Sequence, residues 1–364
     1  MHESDLTFEI LLGESDLNHP AFDFLENHAE SLLYHHRKYK YFLKAILKDS
    51  FSVNIVAYKK DTIVGVIPAF CIEKNNHKII NSLPFYGSNG GVILNNKLLN
   101  DSEKKYIFSE FFTYAKKVGC SSATMVMNVF ETNYDIYDGV SVDYQDYRIG
   151  QITKILREDV KTEDDLIKRF HVKTRNAIRK AQKQNFIYRA TNADESLDFL
   201  YETHCENMAK IGGLAKPREI FQKLTSIYNY PEEYIIWSVE SSDGEQLAAV
   251  LNFYCNKTVE YYTPVIKEKH RSTQALSGLI FRSLSYGLEK KFNKWNWGGT
   301  WVKQDGVYRF KSRWAAEDYK YKYYTRLFDK ELLKWPKQKL LTTFPFYYIY
   351  PFSAIAVRSI NHEN

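Results

Sequence analysis

The sequence is short of cysteine, of methionine and of unbroken apolar stretches, and each shortage removes a class of protein. Its four cysteines, Cys71, Cys120, Cys205 and Cys255, stand far apart and form neither CxxC nor Cys/His ligand spacing. No disulfide framework, structural zinc site or other metal is therefore expected, and a reducing compartment is. The opening MHESDLTFEI has acids and no basic run ahead of an apolar core, which predicts no secretory signal and a cytoplasmic location. One long uncharged stretch, 340–357, is barely long enough to span a bilayer, and Pro345 and Pro351 would interrupt a helix there. That tail is expected to pack on the protein surface; peripheral contact with the inner face of a membrane through its Tyr and Phe is the alternative. Net charge is small as well, +6 over 364 residues, so an anionic partner has to be met by a local patch.

What the chain does contain is aromatic surface: 28 Tyr and 23 Phe against 4 Met, in a sequence that is 44% apolar and 26% charged. Those proportions are those of a globular protein, and the length exceeds one ordinary core. Two domains are expected, 1–158 and 159–335, followed by the aromatic tail 336–364.

The order of elements supports that division. Residues 21–47 read as two helices, with Ser31 capping the second, and the adjacent His35 and His36 face different directions on a helix, so they cannot share a metal. A hairpin turning at Lys60-Asp61 follows, then a strand interrupted by a glycine loop, PFYGSNGG, then a helix over 102–118 and strands SATMVMNV and YRIGQITKIL. Thr162 with Asp165 opens a capping box for a basic helix over 164–184, with apolar Leu166, Phe170, Ala177 and Ala181 on one stripe. Two helices, a hairpin, a strand, a helix and a strand then recur through 193–328. An internal structural duplication is the economical explanation.

Three places could carry chemistry. In 294–314, KWNWGGTWVKQDGVYRFKSRW, a strand is expected to break at Gly298-Gly299 and a short helix to open at Gly306, bringing Trp297, Tyr308 and Lys311 to a pocket wall. At KEKHRSTQAL, Ser272 is the expected N-cap of a helix, so the amides of Thr273, Gln274 and Ala275, beside Arg271, form an anion site. The helix 164–184 carries Lys168, Arg169, Lys173, Arg175, Arg179, Lys180 and Lys183 without an acid between them, and a phosphorylated partner would relieve their repulsion.

These segments together resemble the FemA/FemB/FemX-like branch of the GNAT acyltransferase superfamily. The residues that carry the likeness are KTRNAIRKA (173–181), Tyr261 and Tyr262, HRSTQAL, Trp297-Gly298-Gly299 and GVYRFK, with SLLYHHRKYKYFL, IVGVIPAF and PFYGSNGGV in the first half. The resemblance implies an α+β fold of tandem duplicated GNAT-like (acyl-CoA N-acyltransferase) domains, each a mixed, mostly antiparallel sheet flanked by helices. It also implies an acyl donor, acyl-CoA or aminoacyl-tRNA, and an amine acceptor such as an amino sugar or a nucleotide- or lipid-linked cell-envelope precursor. On that basis Arg271, Ser272, Thr273 and Gln274 would hold donor phosphates, and Lys311 would stabilise an oxyanion or bind acceptor phosphates. Glu260 and Tyr262, on one strand face, or Asp305 would move the amine proton. Arg175, Asn176, Arg179, Trp297, Tyr308, Phe85 and Tyr86 would face the acceptor. No long helical hairpin with sustained heptads interrupts 193–230, which favours acyl-CoA over tRNA. A non-catalytic scaffold in surface-polysaccharide biosynthesis is the reading from a different class.

Overall fold

The computed structural model describes residues 5–13, 18–85, 89–300 and 304–351. In the first half the elements are β1 (Leu6–Leu12), α1 (Pro20–Asn27), α2 (Arg37–Ile46), β2 (Ser50–Lys59), β3 (Thr62–Lys74), β4 (His77–Ser82), β5 (Ile93–Leu94), α3 (Asp101–Lys117), β6 (Ser122–Val126) and β7 (Tyr144–Lys154). The second half adds α4 (Glu163–Arg169), α5 (Val172–Gln182), β8 (Ile187–Thr191), α6 (Asp194–Lys210), α7 (Arg218–Ile227), β9 (Tyr234–Glu240), β10 (Gln246–Cys255) and β11 (Thr258–Ile266). It closes with α8 (Ala275–Glu289), β12 (Lys294–Thr300), α9 (Asp305–Ser312), β13 (Glu317–Leu327) and α10 (Lys337–Thr343).

Two compact units result, one of residues 1–148 with 320–364 and one of 149–319. Sheet order in the first is β1-β2-β3-β4-β6-β13, antiparallel except for the parallel pair β4/β6. The second repeats it as β8-β9-β10-β11-β12-β7, antiparallel except for β11/β12. Each sheet is therefore completed by the strand that ends the other half of the sequence. That exchange is why the unit boundaries fall at 148/149 and 319/320 rather than at 158/159 and 335/336, and it is invisible to a reading that assigns each strand to the half in which it occurs.

In the first unit α3 lays Ile107, Phe108, Phe111 and Phe112 against Ile80, Ala123 and Met125, while α1 covers Val56 and Val66 on other strand positions with Phe22 and Leu25. An Asn100/Glu103 capping box starts α3. In the second unit α5 and α8 pack Ile178, Leu279 and Leu284 with Trp237, Val250 and Trp295, and α6 lies across β10 and β11.

Several local expectations change. Ser31 is buried and caps no helix; the chain makes a short 3-10 turn at Leu33–His35 and α2 starts after His36. The basic helix divides at Phe170-His171, whose extended backbone lets Phe170 turn into the core against Trp314, ring centroids 5.1 Å apart. Strand β12 does not break at its glycines. It runs on to Thr300, with a bulge between Asn296 and Gly299 opposite β7 and Gly298 at φ +73°.

The described part of the tail packs against the protein, as expected, and contributes buried residues to it. Leu340, Phe344, Tyr347, Ile349 and Tyr350 are buried, Asn81 Nδ2 donates to the Tyr348 carbonyl (2.8 Å), and the Tyr348 N–H donates to Asn81 Oδ1 (2.6 Å). Ser122 Oγ donates to the Ile349 carbonyl at 2.6 Å. The uncharged composition read from sequence serves to cover a sheet face of the first unit.

Candidate functional site

The parallel pair differs between the two units, and that difference marks out a candidate site. In the second unit β11 and β12 are joined only where Thr258, Val259 and Glu260 face Lys294, Trp295 and Asn296, although β11 runs to Ile266 and β12 to Thr300. Beyond Glu260 and Asn296 they form a fork. On β11 the register skips Tyr262, since Asn252 faces Tyr261 and Leu251 faces Thr263, so Tyr262 is a bulge residue at the fork.

The corresponding place in the first unit is filled. Past the four paired positions of β4 and β6, the Gly90 N–H donates to the Val126 carbonyl (3.1 Å) and the Gly91 N–H to the Ser82 carbonyl (3.0 Å). Bare backbone is required there: a Cβ on Gly90 would lie 2.3 Å from the Leu83 nitrogen, and Gly91 has φ +75°. Gly90 and Gly91, from the glycine loop, thus plug this fork with their own backbone. Among the described residues no such backbone bond crosses the β11/β12 fork.

The fork is lined on one face by polar groups. Asn296 Nδ2 donates to Glu260 Oε2 (2.9 Å) and its Oδ1 accepts the Gly298 N–H (2.9 Å), so one side chain ties the two prongs and the bulge. Glu260 is buried opposite Phe253, and Tyr262 meets the same Phe253 edge-on at 5.2 Å, which places both on one face as the alternation predicted. Burial pushes the Tyr262 phenol above its ordinary pKa, and among the described residues its hydroxyl has no hydrogen-bond partner. Lys216 completes the group. Its ammonium stands 4.2 Å from the Tyr262 ring centroid and 3.4 Å from Thr263 Oγ1, and burial pulls its pKa down to about 8. The Lys216 N–H donates to His204 Nε2 at 3.1 Å, and burial holds that imidazole near 4, hence neutral. Lys216 is not among the residues that the sequence singles out; the following Pro217, which disfavours helix at the preceding residue, is the signal that puts it in a loop.

Lys311 is buried and fully engaged. Its Nζ donates to the carbonyls of Gly298 (3.2 Å) and Gly299 (3.3 Å) and to Thr300 Oγ1 (2.9 Å), and burial lowers its pKa to about 8. It is the strut that fixes the β12 bulge from α9, which leaves it no proton for an oxyanion. Trp297 is core as well, with Nε1 donating to Thr153 Oγ1 at 2.9 Å among Trp295, Tyr261 and Trp314. Tyr308 spends its hydroxyl on Asp318 (2.7 Å), and Asp305 is exposed at the start of α9 beside Arg309.

The phosphate cradle is built differently from expectation. Glu268–Thr273 is a 3-10 turn, Gln274 (φ +65°) rather than Ser272 is the N-cap, and α8 begins at Ala275. Two of the three amides expected at that site are used locally: Gln274 N–H donates to the Arg271 carbonyl and Ala275 N–H to Thr273 Oγ1 (3.2 Å). Arg271 and Ser272 remain exposed, and His270 sits 3.2 Å from Glu245.

Of the acceptor-side residues, Arg175 donates to the carbonyls of Lys168 (3.2 Å) and Phe170 (2.8 Å) and so closes the end of α4. Asn176 and Arg179 are exposed on α5. Phe85 is fully buried in the first unit between Phe42 and Phe346, with ring centroids 5.5 and 5.2 Å away, and Tyr86 lies outside the described residues.

A repeated helix-covered mixed sheet, with a forked parallel pair in one copy, is the tandem GNAT fold. The solved structure of FemX shares it over 90% of this chain and 99% of its own, with a TM-score of 0.67 at 14% identity. A tandem GNAT protein from the clavulanic acid biosynthesis pathway, solved without AcCoA, matches 88% of this chain and 98% of its own, with a TM-score of 0.54 at 8% identity. No family model and no curated protein matches the sequence.

Proposed function

We propose that the chain is an N-acyltransferase whose second unit takes an acyl group from acyl-CoA and delivers it to a primary amine of an amino sugar or cell-envelope precursor. The open β11/β12 fork carries this reading. Two parted strand edges present backbone donors and acceptors to an extended ligand, as in strand addition, and the amide-bearing pantetheine arm of CoA is such a ligand. The first unit illustrates the fit with its own backbone at Gly90-Gly91.

An arm lying in the fork brings its thioester to Glu260, Tyr262 and Lys216. The amine nitrogen attacks the acyl carbon, the C–S bond breaks, and the sulfur leaves as a thiol. Tyr262, with a raised pKa and an uncommitted hydroxyl, is suited to hydrogen-bond and protonate the leaving sulfur. The proton lost by the amine goes to Glu260 through water or to the neutral fraction of Lys216. Lys311 acts by holding the bulge.

The relatively short α6 and α7, without a long helical hairpin between them, favour acyl-CoA over aminoacyl-tRNA. The test is thermal stabilisation of the full chain by acetyl-CoA, with Arg271→Glu removing most of the shift and Tyr262→Phe leaving it intact while lowering amine acylation about tenfold or more. A shift with charged tRNA only points to the aminoacyl alternative. Silence with both leaves the scaffold reading and ends this one.

A further inference from the structure

We infer that Lys216 is the seat of a carboxylate on the acceptor, so that the amine acylated at the β11/β12 fork belongs to an amino acid or a peptide end rather than to a neutral amino sugar. The inference rests on the N-acyltransferase reading above and names the acceptor class for the same fork.

Two lysines of the second unit have their pKa drawn down to about 8 by burial, and they are satisfied very differently. Lys311 Nζ donates to three oxygens, the Gly298 and Gly299 carbonyls and Thr300 Oγ1. Lys216 Nζ has one, Thr263 Oγ1 at 3.4 Å, and otherwise faces the Tyr262 ring. An ammonium carries three N–H donors, and taking it from water without filling them is costly. An exposed lysine such as Lys173 leaves its donors to water, whereas Lys216 is half-buried against an aromatic ring. No acid of the chain makes good the deficit: Lys210 and Arg218, on either side of it in sequence, pair with Glu268 and Asp198, while Lys216 forms no ion pair among the described residues. His204, which accepts its backbone N–H, is neutral. The counter-ion is therefore supplied by a ligand.

Position decides which ligand group that is. Glu260 faces Phe253 and Thr263 faces Leu251, two residues of one face of β10, so both lie on the same face of β11 with Tyr262 between them. A buried acid stands at one end of this strip and an unmatched cation at the other. The strip is complementary to a zwitterion, with the amine toward Glu260 and the carboxylate toward Lys216. A phosphate would bring a second negative charge that one ammonium does not balance. Paired in this way Lys216 stays protonated, and the amine gives its proton to Glu260 through water.

The experiment follows CoA release from acetyl-CoA by the full chain with three pairs of amines that differ in a carboxylate: alanine and ethylamine, lysine and cadaverine, alanyl-alanine and alanyl-ethylamide. The expected result is a preference of roughly tenfold or more in kcat/KM for the carboxylate member of each accepted pair, carried mainly by KM. Lys216→Gln should bring the ratio near one, and Lys216→Arg, which keeps the charge, should restore part of it. Equal rates within the pairs, or a preference that survives Lys216→Gln in a protein with an unaltered melt, overturn the carboxylate seat and leave the N-acyltransferase reading intact. So does acetyl-CoA binding with none of the six amines acetylated, or a Lys216-dependent preference for glucosamine 6-phosphate over glucosamine in its place. A chain that does not bind acetyl-CoA overturns both.

Discussion

Lys311→Met separates the strut from the charge. The substitution keeps length and apolar volume, removes the ammonium from a side chain only 7% exposed, and leaves the Gly298 and Gly299 carbonyls without that donor. Burial lowers the folded-state pKa from 10.5 to about 8. Between those values the unfolded chain holds a proton that the folded chain has released, so stability rises with pH across the window. Below about pH 8 both states are protonated and the cost of burying the charge is at its fullest. At about 1.4 kcal/mol per pH unit the full gain is on the order of 3 kcal/mol. Urea unfolding at intervals from pH 7.5 to 10 should therefore show the natural chain gaining on the methionine variant by up to that amount, while the tyrosines and Lys216 titrate in both and cancel. Turnover in the variant should fall tenfold or more, because the bulge that shapes the fork loses its tie. Parallel stability curves refute the burial argument, and unchanged turnover removes Lys311 from the machinery.

The plug and its support in the first unit give two more tests. Gly90→Ala forces a Cβ to within 2.3 Å of the Leu83 backbone, and a loss of roughly 2–4 kcal/mol is expected, read as a melting temperature lower by about 5–15 °C; an unaltered melt would falsify the account of the filled fork. His35 accepts the Leu32 N–H at Nδ1 (3.1 Å) and donates from Nε2 to the Gly90 carbonyl (2.9 Å), and burial holds its pKa near 4. As pH falls from 6.5 toward 4 the unfolded chain gains a proton that folded His35 refuses, so stability drops by on the order of 3 kcal/mol. His35→Gln should flatten that acid limb in denaturant titrations, and an identical limb in both proteins would mean that another group governs it.

Local sequence was a good guide wherever a short-range rule decided the outcome. The capping signature at Thr162 and Asp165, the hairpin at Lys60-Asp61 and the alternation that puts Glu260 and Tyr262 on one face all hold, since each depends on residues within a few positions. The repeated order of elements was likewise legible, because hydrophobic period distinguishes strand from helix without reference to partners. Strand β1 is not legible in this way, since LTFEILL is an edge segment whose partner is defined only by β2.

What local sequence could not decide was which groups remain available once the chain is packed. Lys311, Arg175, Trp297 and Phe85 have the chemistry of a site, and tertiary contacts spend each of them on structure. Lys216 has no motif around it and becomes significant only because a loop lays it over Tyr262. Two pairs of glycines, Gly90-Gly91 and Gly298-Gly299, looked alike as letters. Packing makes the first a plug and the second a bulge beside an open fork, because a hydrogen bond between distant strands depends on position in space and not on separation along the chain. The sequence by itself determined the elements and their duplication; the tertiary structure decided which of the two copies keeps its cleft.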